Sequence, residues 1–244
     1  MKEIRYFYVP DAPHQSELPA EEAVHAVRVL RLVEGDEIFL MDGKGYFYNA
    51  VITEASKKYC RYRILSKNEE PKSWKGHIHV AVAPTKNIDR IEWFAEKATE
   101  IGIDELSFIN CQFSERRVVK NERIEKILVS AMKQSRKPIL PVLNSLVDFD
   151  KFIQNDFKGR KYICHCYDNN LPLLKDILLT GTDKPQKPDE EILVMIGPEG
   201  DFSIDEVRKA EQAGFVSVSL GKSRLRTETA ALVAAHIMHL SMET

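Results

Sequence analysis

The segment Ile192-Leu-Val-Met-Ile196-Gly197-Pro198-Glu199-Gly200-Asp201-Phe202-Ser203 is the first place where this sequence could do chemistry. An unbroken apolar run leads into two glycines, then into Ser203-Ile-Asp-Glu206, which has the spacing of a helix-opening capping box. Strand, glycine loop and helix start together place a ligand at the carboxyl end of a strand in an open α/β sheet. Glycines allow a ligand to approach the backbone closely; they also serve tight turns for their dihedrals alone.

A second segment, Leu220-Gly221-Lys222-Ser223-Arg224-Leu225-Arg226-Thr227-Glu228-Thr229-Ala230, gathers cations, hydroxyls and a carboxylate at the start of an apolar run ending near Leu240. A helix that is apolar on nearly every face is buried in the core or sealed by a partner. Polar groups beside it need partners, either protein groups or a ligand. His236 and His239 read as core or interface residues. Gly221-Lys222-Ser223 does not complete a P-loop, because Val216 stands where that motif needs glycine and Gly214 is two residues too early. No Gly-x-Gly-x-x-Gly follows a predicted strand. Cys164-His165-Cys166 has one residue between its thiols and lies in a strand-like run, so no metal is expected there.

The elements that must hold these segments follow from periodicity. Beyond about residue 75 the chain alternates strand and helix: His77–Ala83, Asn87–Gly102 (helix), Glu105–Asn110 and Asn121–Ser135 (helix). Tyr162–Tyr167, Ile192–Ile196, Ser203–Gly214 (helix), Val216–Leu220 and Arg226–Leu240 (helix) complete it. That alternation predicts a mostly parallel sheet covered on both faces. The first 70 residues read as short strands with one helix, Ala20–Val29. A hairpin turns at Asp42-Gly43-Lys44-Gly45 and a further strand spans Tyr59–Leu65, a barrel-like module. Lys67–Lys75 reads as a linker and Thr180–Glu191 as a loop.

The 244 residues carry 35 basic and 37 acidic side chains, a net charge of −2, with 43% apolar residues. That composition supports a folded core. It gives no overall basic excess of the kind a nucleic-acid binder often shows, although local clustering matters more. No apolar run is long enough for a membrane span. The charged start Met1–Arg5 does not resemble a signal peptide, and four cysteines form no disulfide-like framework, so a cytoplasmic protein is expected.

Gly197-Pro-Glu-Gly200, Leu220-Gly221 and Leu225-Arg-Thr-Glu-Thr-Ala230 together resemble the SPOUT class of methyltransferases, and within it the ribosomal small-subunit methyltransferase E family. His25, Val29-Leu30-Arg31, Gly35-Asp36 and Asp42-Gly43 resemble that family's N-terminal PUA-like module. Lys97–Gly102, Ser114-Glu115-Arg116, and Ala131, Gln134-Ser135 and Pro141 resemble its catalytic-domain segments. The sequence departs from the pattern at Lys133 (usually Glu), at Arg136-Lys137 (usually Gly-Arg) and at Asp201 (usually Gly).

The resemblance implies a PUA-like RNA-binding β-barrel domain over residues 1–70. It implies a SPOUT methyltransferase domain over 71–244, a parallel α/β sheet with a C-terminal trefoil knot. Such an enzyme transfers methyl from S-adenosylmethionine to N3 of a uridine in 16S rRNA of the small subunit, as a homodimer. Cofactor contacts are expected from Ile196, Gly197, Pro198, Glu199, Gly200, Leu220, Gly221, Leu225, Arg226, Thr227 and Thr229. Near the target, Arg226 would stabilise a deprotonated uracil or a phosphate, and Glu228 would organise that arginine or accept the proton. RNA phosphates are expected at Arg28, Arg31, Lys86, Arg116, Arg117, Lys120, Arg136 and Lys137, with Lys133 beside them. The alternatives are a related enzyme acting on another RNA and a non-catalytic RNA-binding protein.

Overall fold

The structure is a computed structural model and describes residues 5–168, 170–180 and 190–243. Its packing divides the chain into two units: Met1–Lys72 with Val129–Leu140, and Ser73–Leu128 with Pro141–Thr244. The first unit therefore reclaims a segment that lies far beyond residue 70.

In the first unit β1 (Tyr6–Tyr8), β2 (Glu37–Met41), β3 (Tyr46–Ala55) and β4 (Cys60–Glu69) form one four-stranded sheet in that order. β1 runs parallel to β2 and the other pairs are antiparallel. Alternate residues Ile38, Leu40, Tyr48, Ala50 and Ile52 face a core shared with Phe7, Ala23 and Ala26. The Ala20–Val29 helix forms as a short α1 (Ala20–Val24) that loosens into a π turn over His25–Val29. The segment Lys67–Glu69 is strand, not linker. It pairs with Tyr48, Phe47 and Tyr46 of β3, and Lys67 Nζ sits 3.5 Å above the Tyr46 ring. A polar run can line an exposed sheet edge when its charges find aromatic faces.

In the second unit β5 (His77–Val82), β6 (Glu105–Asn110), β7 (Val142–Leu143), β8 (Val147–Asp148), β9 (Arg160–Cys164), β10 (Glu191–Ile196) and β11 (Val216–Val218) make a seven-stranded sheet. The order is β11-β9-β10-β5-β6-β7, with β8 also on β6, and every pair is parallel. Ile192–Ile196 of β10 are all buried, as a strand covered on both faces requires.

The helices are α2 (Ile88–Ile101), α3 (Asn121–Ser135), α4 (Phe149–Phe152), α5 (Ile204–Gln212) and α6 (Thr227–Met242). Asn87 caps α2 by accepting the Asp89 amide. The Ser203–Glu206 capping box opens α5 as its spacing requires. α6 packs on α2 and β5 through Ala231, Ala234, Ala235 and Met238, and His239 Nδ1 lies 3.1 Å from the Gly102 carbonyl. Most of the expected loop over Thr180–Glu191 falls outside the described residues. No helix of the described residues is long and apolar enough to cross a membrane.

Candidate active site

A cavity of about 360 Å3 opens where β9, β10 and β11 end and α6 begins. Parallel strands bring their carboxyl ends to one edge, and that edge is where open α/β sheets bind ligands. Ile196, Gly197, Pro198 and Glu199 line it from β10, Leu220, Gly221 and Leu225 from the loop after β11, and Arg226 and Thr227 from the start of α6.

Neither Gly197 nor Gly200 has a positive φ, so the turn does not need glycine for its dihedrals. Each is glycine for room. A Cβ on Gly197 would lie 3.0 Å from both Phe202 Cδ2 and the Phe202 amide, and one on Gly200 3.1 Å from Phe113 Cβ. The left-handed residue is Asp201, at φ 66. Its carboxylate braces that conformation: Oδ1 accepts from the Phe202 amide at 2.8 Å and Oδ2 from the Cys166 amide at 2.9 Å. Asp201 thereby ties the end of β9 to the turn after β10. Phe202, fully buried, anchors the turn in the core, where loss of such a ring costs about 3–5 kcal/mol. Glu199 accepts the Lys86 amide at 3.0 Å.

Gly221 does need its conformation: φ is 133, and an added Cβ would meet nothing within 4 Å. Ser219 Oγ holds the loop by accepting the Gly221 amide at 3.2 Å. Arg226 is the N-cap residue of α6 and makes no side-chain cap, so the first amides of this 16-residue helix have no side-chain acceptor. Such amides attract an anion or carboxylate.

Cys164, His165, Cys166, Asp201, Val218 and Ser219 also line the cavity without having been expected there, while Ser223, Arg224 and Ala230 belong to the Leu220–Ala230 segment that the sequence singles out. Burial pushes the Cys164 and Cys166 thiols up, and it pushes His165 down against the pull of Asp201. Burial thus favours the neutral form of all three, beside the acidic Glu199 and Asp201 and the basic Arg224 and Arg226 on the same wall. Among the described residues no group of three or more His, Cys, Asp or Glu side chains could hold a metal.

Gly200 and Thr229 do not line this cavity. Thr229 and Glu228 border a different one of about 320 Å3 with Asp89, Arg90 and Trp93. Glu228 is 7% exposed, and its Oε1 lies 3.8 Å from Arg90 Nε. The cation it meets is Arg90 rather than Arg226, because a residue two positions into a helix points away from its N-cap neighbour.

The expected RNA-contacting cations differ in how free they are. Arg116 donates to the carbonyls of Thr85 (3.0 Å) and Lys86 (2.6 Å), bracing a turn, and Lys86 pairs with Glu115 at 2.8 Å. Arg117 and Lys120 are exposed. In the first unit Lys133 pairs with Glu22 at 2.6 Å, Arg136 (φ 54) stacks 5.4 Å from the Tyr6 ring, and Arg28 reaches the Lys57 carbonyl at 3.4 Å. Arg31 (φ 55) is exposed and Lys137 is half-buried.

Comparison with known proteins agrees with this architecture. Residues 72–239 match an RNA methyltransferase domain, and residues 18–65 an RNA methyltransferase PUA domain. The ribosomal RNA small subunit methyltransferase E of Buchnera aphidicola is 29% identical over 227 residues, covering 89% of this chain and 84% of that protein. The crystal structure of a probable rRNA-methyltransferase from Porphyromonas gingivalis superposes with a TM-score of 0.88 at 40% identity, over 98% of each chain. The enzyme E of Neisseria gonorrhoeae, solved bound to S-adenosyl methionine, superposes with a TM-score of 0.83 at 27% identity, also over 98% of each. Its cavity at the carboxyl edge of a parallel sheet and its two matched domains make this chain a member of the RNA methyltransferase family, with a PUA-type domain before the methyltransferase domain.

Proposed function

We propose that this chain is an S-adenosylmethionine-dependent methyltransferase acting on N3 of a uridine in 16S rRNA of the small ribosomal subunit. One observation carries the reading. Every residue expected from the resemblance to hold the cofactor, except Gly200 and Thr229, lines one cavity at the carboxyl ends of β9, β10 and β11. The cavity also fits the ligand. Its volume is in the ~300–1,000 Å3 range of small-molecule sites. Its wall mixes apolar Ile196, Val218 and Leu225 with charges of both signs, as a zwitterionic sulfonium compound demands. The uncapped start of α6 suits a carboxylate.

Bound there, adenosylmethionine supplies an activated methyl group. The protein must align the acceptor and handle its proton. Uracil N3 lies on the pairing edge, so the base must be extruded from its stack. Arg226 is exposed at the cavity wall, where it can stabilise a deprotonated uracil or a neighbouring phosphate. Glu228 lies apart from the cavity, where its carboxylate faces Arg90. The fold that the resemblance implies, with its C-terminal trefoil knot, would join these loops into one rigid pocket.

We also assign the protein to the cytoplasm and to a homodimer. The exposed Leu240, the half-buried Leu232, Val233 and Ile237 of α6, and Trp93 of α2, 43% exposed, form the apolar surface that supports a second copy.

The test is methyl transfer to small ribosomal subunits from a bacterium deleted for its own enzyme of this family, with nucleosides identified by mass spectrometry. The reading expects 3-methyluridine, and loss of at least 100-fold in turnover for Arg226→Ala with the fold intact. A different methylated nucleoside would reassign the substrate. Full turnover by Arg226→Ala would remove that residue from the chemistry.

A further inference from the structure

Within the turn from Gly197 to Asp201, Gly200 is the residue that does not face the cavity, and what it makes room for is Phe113. Phe113 is 45% exposed, although it packs against this turn at van der Waals distance. Its loop is tightly held. The Cys111 amide donates to Ser114 Oγ at 3.0 Å, and the Ser114 amide returns to the Cys111 carbonyl at 3.0 Å. The Gln112 amide donates to Glu206 Oε1 at 2.8 Å. The other oxygen of Glu206 accepts from the Ser203 amide and hydroxyl, so the glutamate that starts α5 also fixes the aromatic loop. A large apolar side chain is thus held firmly in place while nearly half of it stays in water.

Four residues on, Arg117 lines a separate cavity of about 270 Å3 with Asn110, Gln112, Lys209 and the carboxylates of Asp148, Asp150 and Glu206. It is exposed, and unlike Arg116 and Lys86 it is not committed to a carbonyl or carboxylate among the described residues. A rigid exposed ring and an uncommitted guanidinium four positions on are the two groups that single-stranded nucleic acid uses, one for a base and one for a phosphate.

We infer that Phe113 is a stacking platform for an unpaired base of the bound RNA, with Arg117 anchoring an adjoining phosphate. This rests on the reading that the chain acts on RNA, and it adds a positioning site beside the cofactor cavity. Stacking tolerates any base but requires a π face. Glu206, Ser114 and Gly200 serve to hold that face at the rim.

The test uses the full-length chain and a fluorescein-labelled ten-residue oligouridylate, set against the same oligomer with abasic sites. Wild-type protein should bind the base-bearing oligomer more tightly. Phe113→Leu keeps the apolar bulk on Gly200 and should weaken that binding about 5- to 150-fold, erasing the preference over the abasic oligomer. Phe113→Trp should restore it, and affinity for S-adenosylmethionine should be unchanged throughout. Arg117→Gln should weaken both oligomers alike and reduce the slope of log affinity against log salt by about one. Equal binding by wild type and Phe113→Leu, or no rescue by Phe113→Trp, would overturn the inference, leaving the ring as an apolar contact. These ratios are independent of methyl transfer. A wild-type protein that discriminates bases but transfers no methyl would sink the enzymatic reading and leave this one standing.

Discussion

Two glycine-bearing turns of this molecule, each braced by an aspartate, have opposite purposes. In the β2–β3 hairpin, Gly43 (φ 70) and Gly45 (φ 98) take up left-handed backbone that side chains avoid. Asp42, 5% exposed, saturates the turn by accepting from the Lys44 amide (2.7 Å), the Tyr46 amide (3.2 Å) and the Tyr48 hydroxyl (3.0 Å). In the turn after β10 the glycines have ordinary dihedrals and supply space, while the left-handed position goes to Asp201. There the aspartate ties two strand ends together, and the surrounding walls remain open as a cavity. The hairpin turns its aspartate on its own amides and its glycine backbone on Glu70, Pro138 and Leu140, whereas the turn after β10 commits only the groups that hold it still.

The largest effect should separate the two turns outright. Asp42→Ala leaves a buried tyrosine hydroxyl and two amides without their acceptor and should destabilise the protein by about 3 kcal/mol in urea unfolding. Affinity for adenosylmethionine should be untouched at temperatures where the chain stays folded. If that affinity fell in step, the hairpin would be coupled to the cofactor cavity.

Alkaline pH presses on the same side of the comparison. Burial pushes Tyr62 up to about 12, and burial with the Asp42 carboxylate pushes Tyr48 further. A raised folded-state pKa gives stability that is present below about pH 10 and lost as pH climbs toward 12. Tyr62 alone should account for about 2–3 kcal/mol of that loss, read from urea midpoints between pH 9 and 12. Tyr62→Phe should flatten the decline.

Gly197→Ala reverses the pattern expected of Asp42→Ala. The new Cβ would press on Phe202 and the turn must yield, at about 1–2 kcal/mol. Calorimetry should show adenosylmethionine affinity reduced about tenfold or more, with only a small shift of the unfolding midpoint. Gly221→Ala is milder, since its Cβ meets nothing and only the dihedral is strained. About 1 kcal/mol and a severalfold loss of affinity should follow.

Asp201→Gly should be the smallest in stability, under about 1 kcal/mol, because relief of the left-handed strain offsets two lost hydrogen bonds. Cofactor affinity should still fall severalfold, because the tie to Cys166 is gone. An affinity gain would mean that the tie does not shape the cavity.

Much of this molecule is legible in local sequence pattern. The Ser203–Glu206 box, the strand Glu105–Asn110 and the helix Asn121–Ser135 form where their spacing places them, since caps and periodicity are local properties. The hairpin at Asp42-Gly43 is equally legible. Strand order is not. β9 lies between β10 and β11, and only that order brings Cys164, His165 and Cys166 to the cavity, a fact that no window of sequence contains. The neighbours of Gly200 are hidden for the same reason, because Phe113 is 87 positions away. Arg226 and Glu228 form one cluster in sequence; the turn of α6 sends them to different cavities.

The most direct measurement is calorimetric titration of the purified wild-type protein with S-adenosylmethionine and, separately, with ATP. A preformed cavity at the ends of β9, β10 and β11 should give saturable binding of one adenosylmethionine per chain and no binding of ATP. A folded protein that took up neither ligand, or ATP in preference, would contradict the assignment of that cavity.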